Sequence, residues 1–222
     1  MKKTSAALTI VVSLALFAGA AVSRAGDVLP LNAEKLTAQA GLIFDGVCLA
    51  NRVERNPQTG LVQTITTFQV SDSLKGAKTG QIEIRQYGGV FPNGDGVLVA
   101  AMPRYRQGER CLLFLNSPGK TGLTSPVGLG QGKFRVSQSE DGAGFRAANS
   151  LGNRTLFRGV SAQRLVQRNP KNKPSAQDRA VLRTLQSDGK AADLADFKAL
   201  IRRLAQSPPE SAQAQPAGEV AP

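Results

Sequence analysis

Apolar and polar positions along the chain change their period several times, and each change marks an element. Ala6 to Val22 is predominantly apolar. Leu31 to Gln39 has helical spacing, with Asn32 placed to cap the first turn and Glu34 inside it. Leu42 to Glu54 is apolar and then polar, which predicts a strand leaving a core. After the turn cluster Asn56 to Gly60, the residues Val62, Thr64, Thr66, Phe68 and Val70 recur at period two. That alternation predicts a strand with one buried face, paired with its predecessor as a hairpin. Gln81 to Tyr87 alternates again, with Ile82 and Ile84 inward, and Gly88 to Asp95 reads as a loop. Cys111 to Leu115 is apolar at every position, the pattern of a strand covered on both faces. Val127 to Val136 reads as a strand in which Gly128, Gly130 and Gly132 leave one face bare for close approach. Gly144 to Asn149 predicts one more strand.

Beyond Val160 the period becomes helical. Ser175 to Leu185 and Asp193 to Leu204 predict two helices. In the second, Leu194, Phe197, Leu200, Ile201 and Leu204 form an apolar stripe on a basic helix, expected to dock on the domain before it. From Pro208 the chain is rich in Pro, Ala, Gln and Glu, which predicts disorder. The expected organisation is a leader over 1–25, a β-domain over 26–160, a basic helical extension over 161–206 and a disordered tail over 207–222.

The leader follows from chemistry. Lys2 and Lys3 precede the apolar run, and Ser23-Arg24-Ala25 places small residues at −3 and −1 before Gly26. This is the grammar of a secretory signal peptide, with a second possible cut after Ala20. The expected compartment is the periplasm or the extracellular medium.

Charge and composition narrow the functional classes. The net charge is +12. From Arg146 to Arg183 nine cations (Arg146, Arg154, Arg158, Arg164, Arg168, Lys171, Lys173, Arg179 and Arg183) face one anion, Asp178. Such a stretch suits an anionic surface or protein. Few aromatics interleave, which disfavours nucleic acid. Histidine is absent, which removes the Ser-His and Cys-His nucleophile pairs and His-based zinc sites. No cofactor motif is complete. Ser117-Pro118-Gly119-Lys120-Thr121 lacks the upstream Gly of a phosphate loop, and Asn93-Gly94-Asp95-Gly96 lacks the downstream Glu of a calcium loop. Both read as turns. Cys48 and Cys111 are the two cysteines. In an oxidising compartment a disulfide between them is the expectation, against the alternative of two buried thiols. Strand order decides, because a bridge needs Cα atoms within about 7 Å.

Several segments together resemble a group of exported bacterial β-domain proteins. They are Leu36 to Ala40 before Leu42 to Val47, Thr67 to Val70 with Leu74-Lys75-Gly76, Gly88-Gly89, Pro103-Arg104-Tyr105 leading into Gly108 to Leu115, and Gly130 to Val136. The opening is similar to the start of the netrin-like domain of tissue inhibitors of metalloproteinases. The resemblance implies a small OB-type barrel with a flanking helix over Leu31 to Val136. Members of that family begin with a zinc-chelating Cys, whereas the mature start here is Gly26 or Ala21.

The expected fold is therefore mainly β, an OB-like or netrin-like barrel with a short N-terminal helix and C-terminal helices. The expected function is that of an exported, non-catalytic binding module, with a protein or an anionic envelope component as partner. The alternatives are an envelope protein held by charge, and an inhibitor-like module or a small hydrolase that uses no histidine.

Overall fold

The structure is a computed structural model that describes residues 29–161, 176–187 and 191–206. The leader, the tail and the segment holding Arg164, Arg168, Lys171 and Lys173 lie outside the described residues.

Helix α1 (Ala33–Gln39) starts where Asn32 predicts, since the Asn32 side-chain oxygen accepts from the Lys35 amide at 2.9 Å. Strands β1 (Leu42–Arg55) and β2 (Val62–Lys75) form the expected long hairpin. They are followed by β3 (Gly80–Tyr87), a small ribbon of β4 (Gly89–Val90) and β5 (Gly96–Val97), and β6 (Arg110–Leu115). Strands β7 (Lys133–Gln138) and β8 (Phe145–Asn149) come next, then α2 (Ala176–Ser187), β9 (Ala192–Asp193) and α3 (Leu194–Gln206). Seven strands make one antiparallel sheet in the order β3-β2-β1-β6-β7-β8-β9, and β4 and β5 pair separately. The mainly β class with a short N-terminal helix and C-terminal helices is thus as expected. Barrel closure is not among the described pairings.

Strand β1 carries the curvature. Its pairing with β2 slips at three places, between Ile43 and Phe44, Asp45 and Gly46, and Cys48 and Ala50. Such irregularities bend and twist a strand. The first half of β1 consequently pairs with both β2 and β6, while Ala50 to Arg55 pairs with β2.

The sheet has a core on each face, and β6 serves both. Leu112 and Phe114 join the core under the helices, with Ile43, Phe134 and Phe197. Cys111, Leu113 and Leu115 join the opposite core, with Phe44, Phe68 and Tyr105. This is why all five positions of that run are apolar. The α3 stripe docks as expected, because Leu194, Phe197, Leu200, Ile201 and Leu204 are all buried in the first core. Among the described residues no helix is long and apolar enough to cross a membrane.

One strand is shorter than its pattern suggests. Gly128 adopts a left-handed conformation (φ 59°) and opens a 3-10 turn over Leu129–Gln131, so the strand begins only at Lys133. Close approach holds at Gly132, where a Cβ would lie 2.8 Å from the Phe114 carbonyl oxygen.

Candidate functional site

A cleft of about 230 Å³ lies between the tail of the β1–β2 hairpin and the segment 88–105. The β4–β5 ribbon roofs it, and backbone chemistry allows the approach. Gly89 has φ 154°, and a Cβ there would meet Thr64 Oγ1 at 2.6 Å and Val53 Cγ1 at 2.8 Å. Only a residue without a side chain lets the ribbon sit this low. The Asn93 to Gly96 turn closes the ribbon, with the Asn93 side chain donating to Asp95 at 2.8 Å. As the sequence suggests, it is a turn.

The floor is polar and neutral. Thr66 Oγ1 donates to Asn51 Oδ1 at 2.7 Å, and Asn51 Nδ2 donates to the Tyr105 carbonyl at 3.0 Å. Thr64 Oγ1 donates to the Gly88 carbonyl at 2.7 Å, tying roof to floor. Gln86 is 3% exposed, and its amide reaches only the Met102 sulfur, at 3.2 Å. A thioether is a weak acceptor, so this buried carboxamide keeps hydrogen-bonding capacity next to the cleft. The rim is exposed and largely apolar: Tyr87, Val90 and Leu98 line the opening together with one cation, Arg104, and Leu98 is 68% exposed.

Behind the floor, Tyr105 packs edge-on against Phe68 with ring centroids 5.0 Å apart. Its hydroxyl is buried and has no hydrogen-bond partner among the described residues. Burial, reinforced by Cys111, Glu109 and Cys48 nearby, raises its pKa far above the ordinary value, so it stays a neutral phenol. Lys133 sits 4.8 Å over the Tyr105 ring and pairs with Glu109 at 2.9 Å. Burial works to raise the Glu109 carboxyl, but hydrogen bonds from Lys133 and the Arg106 amide outweigh it and hold it low.

Cys48 and Cys111 are buried and unpaired, which corrects the expected disulfide. Strand order does place them on neighbouring strands and in one core. The β1–β6 register sets Cys111 opposite Gly46, with the Cys48 amide donating to the Glu109 carbonyl at 2.9 Å. The two cysteines are therefore diagonal neighbours, typically about 7–8 Å apart, at or beyond the reach of a bridge. Cys48 Sγ instead accepts from Asn51 Nδ2 at 3.5 Å. Burial raises both thiols, Cys111 to about 12. We expect neither to react with iodoacetamide in the native protein, and both to be alkylated after unfolding without reductant, as read by mass spectrometry.

Five of the nine cations from Arg146 to Arg183 lie among the described residues. Arg146 donates to the Ala191 carbonyl, Arg154 and Arg158 project from the turns after β8, and Arg179 and Arg183 lie on the exposed side of α2. Arg164, Arg168, Lys171 and Lys173 are outside the described residues. The cleft was missed because its parts come from five separate segments. Two threonines, Thr64 and Thr66, in an otherwise apolar stripe were its one signal in the sequence.

A larger groove of about 830 Å³ runs between Ala101 and Leu151, but its charged residues Glu109, Lys133 and Arg135 already pair with one another. Among the described residues no group of three or more metal-ligating side chains occurs. No protein-family model, curated protein or solved structure matches this chain.

Proposed function

We propose that the chain is an exported, non-catalytic binding module that anchors a segment of a partner protein by one side chain in the cleft beneath the β4–β5 ribbon. The observation that carries this reading is the cleft's make-up: a neutral hydrogen-bonding floor within an exposed, largely apolar rim. Its volume, about 230 Å³, is below the roughly 300–1,000 Å³ of drug-sized ligand sites. It suits a single side chain with an apolar body and a hydrogen-bonding end. A buried anchor surrounded by exposed apolar residues is the usual energetic centre of a protein interface.

Other features support the remaining parts of the proposal. Lys2, Lys3, the apolar run to Val22 and Ser23-Arg24-Ala25 support export. The antiparallel sheet with its flanking helix is compatible with the resemblance to netrin-like domains. The acids Asp45, Asp72, Glu83 and Glu109 are each held in ion pairs, which leaves them poorly placed for acid–base chemistry.

Two measurements test the proposal. N-terminal sequencing of the envelope or secreted fraction should find a chain that begins at Gly26; intact Met1 in the membrane fraction would contradict export. Leu98→Glu should cut partner retention in envelope pull-downs at least tenfold while leaving the thermal midpoint unchanged, because Leu98 is largely exposed. Equal retention by parent and variant would remove the rim from the interface.

A further inference from the structure

A second cleft, of about 600 Å³, lies between the turns that follow β8 and the end of α2. Phe157 and Leu185, 7% and 1% exposed, contribute an apolar floor. Arg154 and Arg158 line it, and among the described residues no acidic one does. Several cations elsewhere are paired: Arg110 and Lys198 with Asp45, Arg202 with Asp72, Arg52 with Glu83, and Lys133 and Arg135 with Glu109. Arg154 and Arg158 have no ion pair among the described residues. Arg146 is committed to the Ala191 carbonyl and is not part of the free charge.

The backbone that carries the two arginines is held firmly. Asn153 locks onto β8, donating to the Ala147 carbonyl at 2.8 Å and accepting from the Asn149 amide at 3.0 Å. The Ala33 amide donates to the Leu156 carbonyl at 2.7 Å, and Asn32 Nδ2 donates to the Arg158 carbonyl at 3.1 Å. Thr155 has φ 64°. A β-branched residue there is strained, and such strain concentrates at functional sites.

We propose that this cleft is a binding site for a phosphate monoester carried on an apolar body. Two unpaired guanidiniums supply a charge of two and ten N–H donors. A carboxylate carries one charge, half of what the two guanidiniums supply. A phosphate monoester carries about −1.5 to −2 at pH 7 and three acceptor oxygens, so it can engage both. The apolar floor selects an ester over inorganic phosphate. The site is separate from the cleft beneath the ribbon and does not depend on it.

Calorimetric titration of the full mature chain with phenyl phosphate, benzoate and inorganic phosphate tests the proposal. Phenyl phosphate should bind at least tenfold more tightly than either of the others. Arg154→Gln with Arg158→Gln should weaken it at least tenfold with no change in thermal midpoint, since both side chains are exposed. Lysine at both positions should restore part of the affinity. Equal binding of phenyl phosphate and benzoate, equal binding of phenyl and inorganic phosphate, undetectable binding of phenyl phosphate, or unchanged affinity in the glutamine variant would each overturn the assignment.

Discussion

Replacing Phe197 with alanine is expected to destabilise the protein by about 3–5 kcal/mol, the range for deleting a fully buried aromatic ring. Phe197 is fully buried and is the hub of the core under the helices. Its ring lies 5.1 Å from Phe134, 5.5 Å from Phe157 and 6.1 Å from Phe114, centroid to centroid. It thereby joins α3 to β6, to β7 and to the turns after β8. A small domain has only about 5–15 kcal/mol of net stability, so the loss is a large share. The urea midpoint should fall sharply, and α3 should become the first site of proteolysis. Phe145→Ala, which removes a half-exposed ring, should cost far less.

Replacing Asp45 with asparagine is expected to cost a similar amount, about 3–5 kcal/mol, because it leaves the partly buried Arg110 without its anion and Lys198 with Asp72 alone. The Asp45 side chain is completely buried. It accepts from Arg110 Nε and Nη2 at 2.9 and 2.8 Å, and from Lys198 Nζ at 3.0 Å. Lys198 and Arg202 of α3 also pair with Asp72 of β2, the latter at 2.6 Å. Burial works to raise the Asp45 carboxyl, but the hydrogen bonds from Arg110 and Lys198 outweigh it and hold it below the ordinary carboxylate range; Asp72 is held low in the same way by Lys198 and Arg202. Groups depressed in this way stabilise the fold fully above the unfolded carboxyl value of about 3.9 and lose that contribution as pH falls through the folded value. The parent should therefore lose stability in acid below about pH 4. Asp45→Asn should be less stable at neutral pH, with a shallower acid slope. Pairing it with Lys198→Met should recover part of the loss.

Elements whose signals are local were legible in the sequence. Asn32 as a cap, the Asn56 to Gly60 turn, the β1–β2 hairpin, the doubly covered β6 and the α3 stripe each depend on residues close together in the chain. What depended on long-range placement was not legible. The short ribbon of β4 and β5 has only two residues per strand, too few for a period, and the glycines read as a loop. Strand β9 is equally short. The glycines at 128, 130 and 132 fit a strand by spacing alone, whereas the left-handed backbone at Gly128 makes a turn. For the cysteines, the sequence placed both in strands of one core. The register that makes them diagonal depends on β1–β6 pairing across more than sixty residues. The cleft was hidden for the same reason, because Asn51, Thr66, Gln86 and Leu98 meet only once the ribbon folds back over the hairpin.

Mapping a bound peptide by amide chemical shifts tests the proposed function most directly. Peptides selected from a random display library against the mature chain would be titrated into the labelled protein. The largest shifts should fall on Asn51, Thr64 to Thr66, Gln86 to Val90 and Val97 to Tyr105, and Leu98→Glu should abolish them. Shifts centred instead on the groove between Ala101 and Leu151, or unchanged binding by the Leu98→Glu variant, would contradict a partner anchored beneath the ribbon.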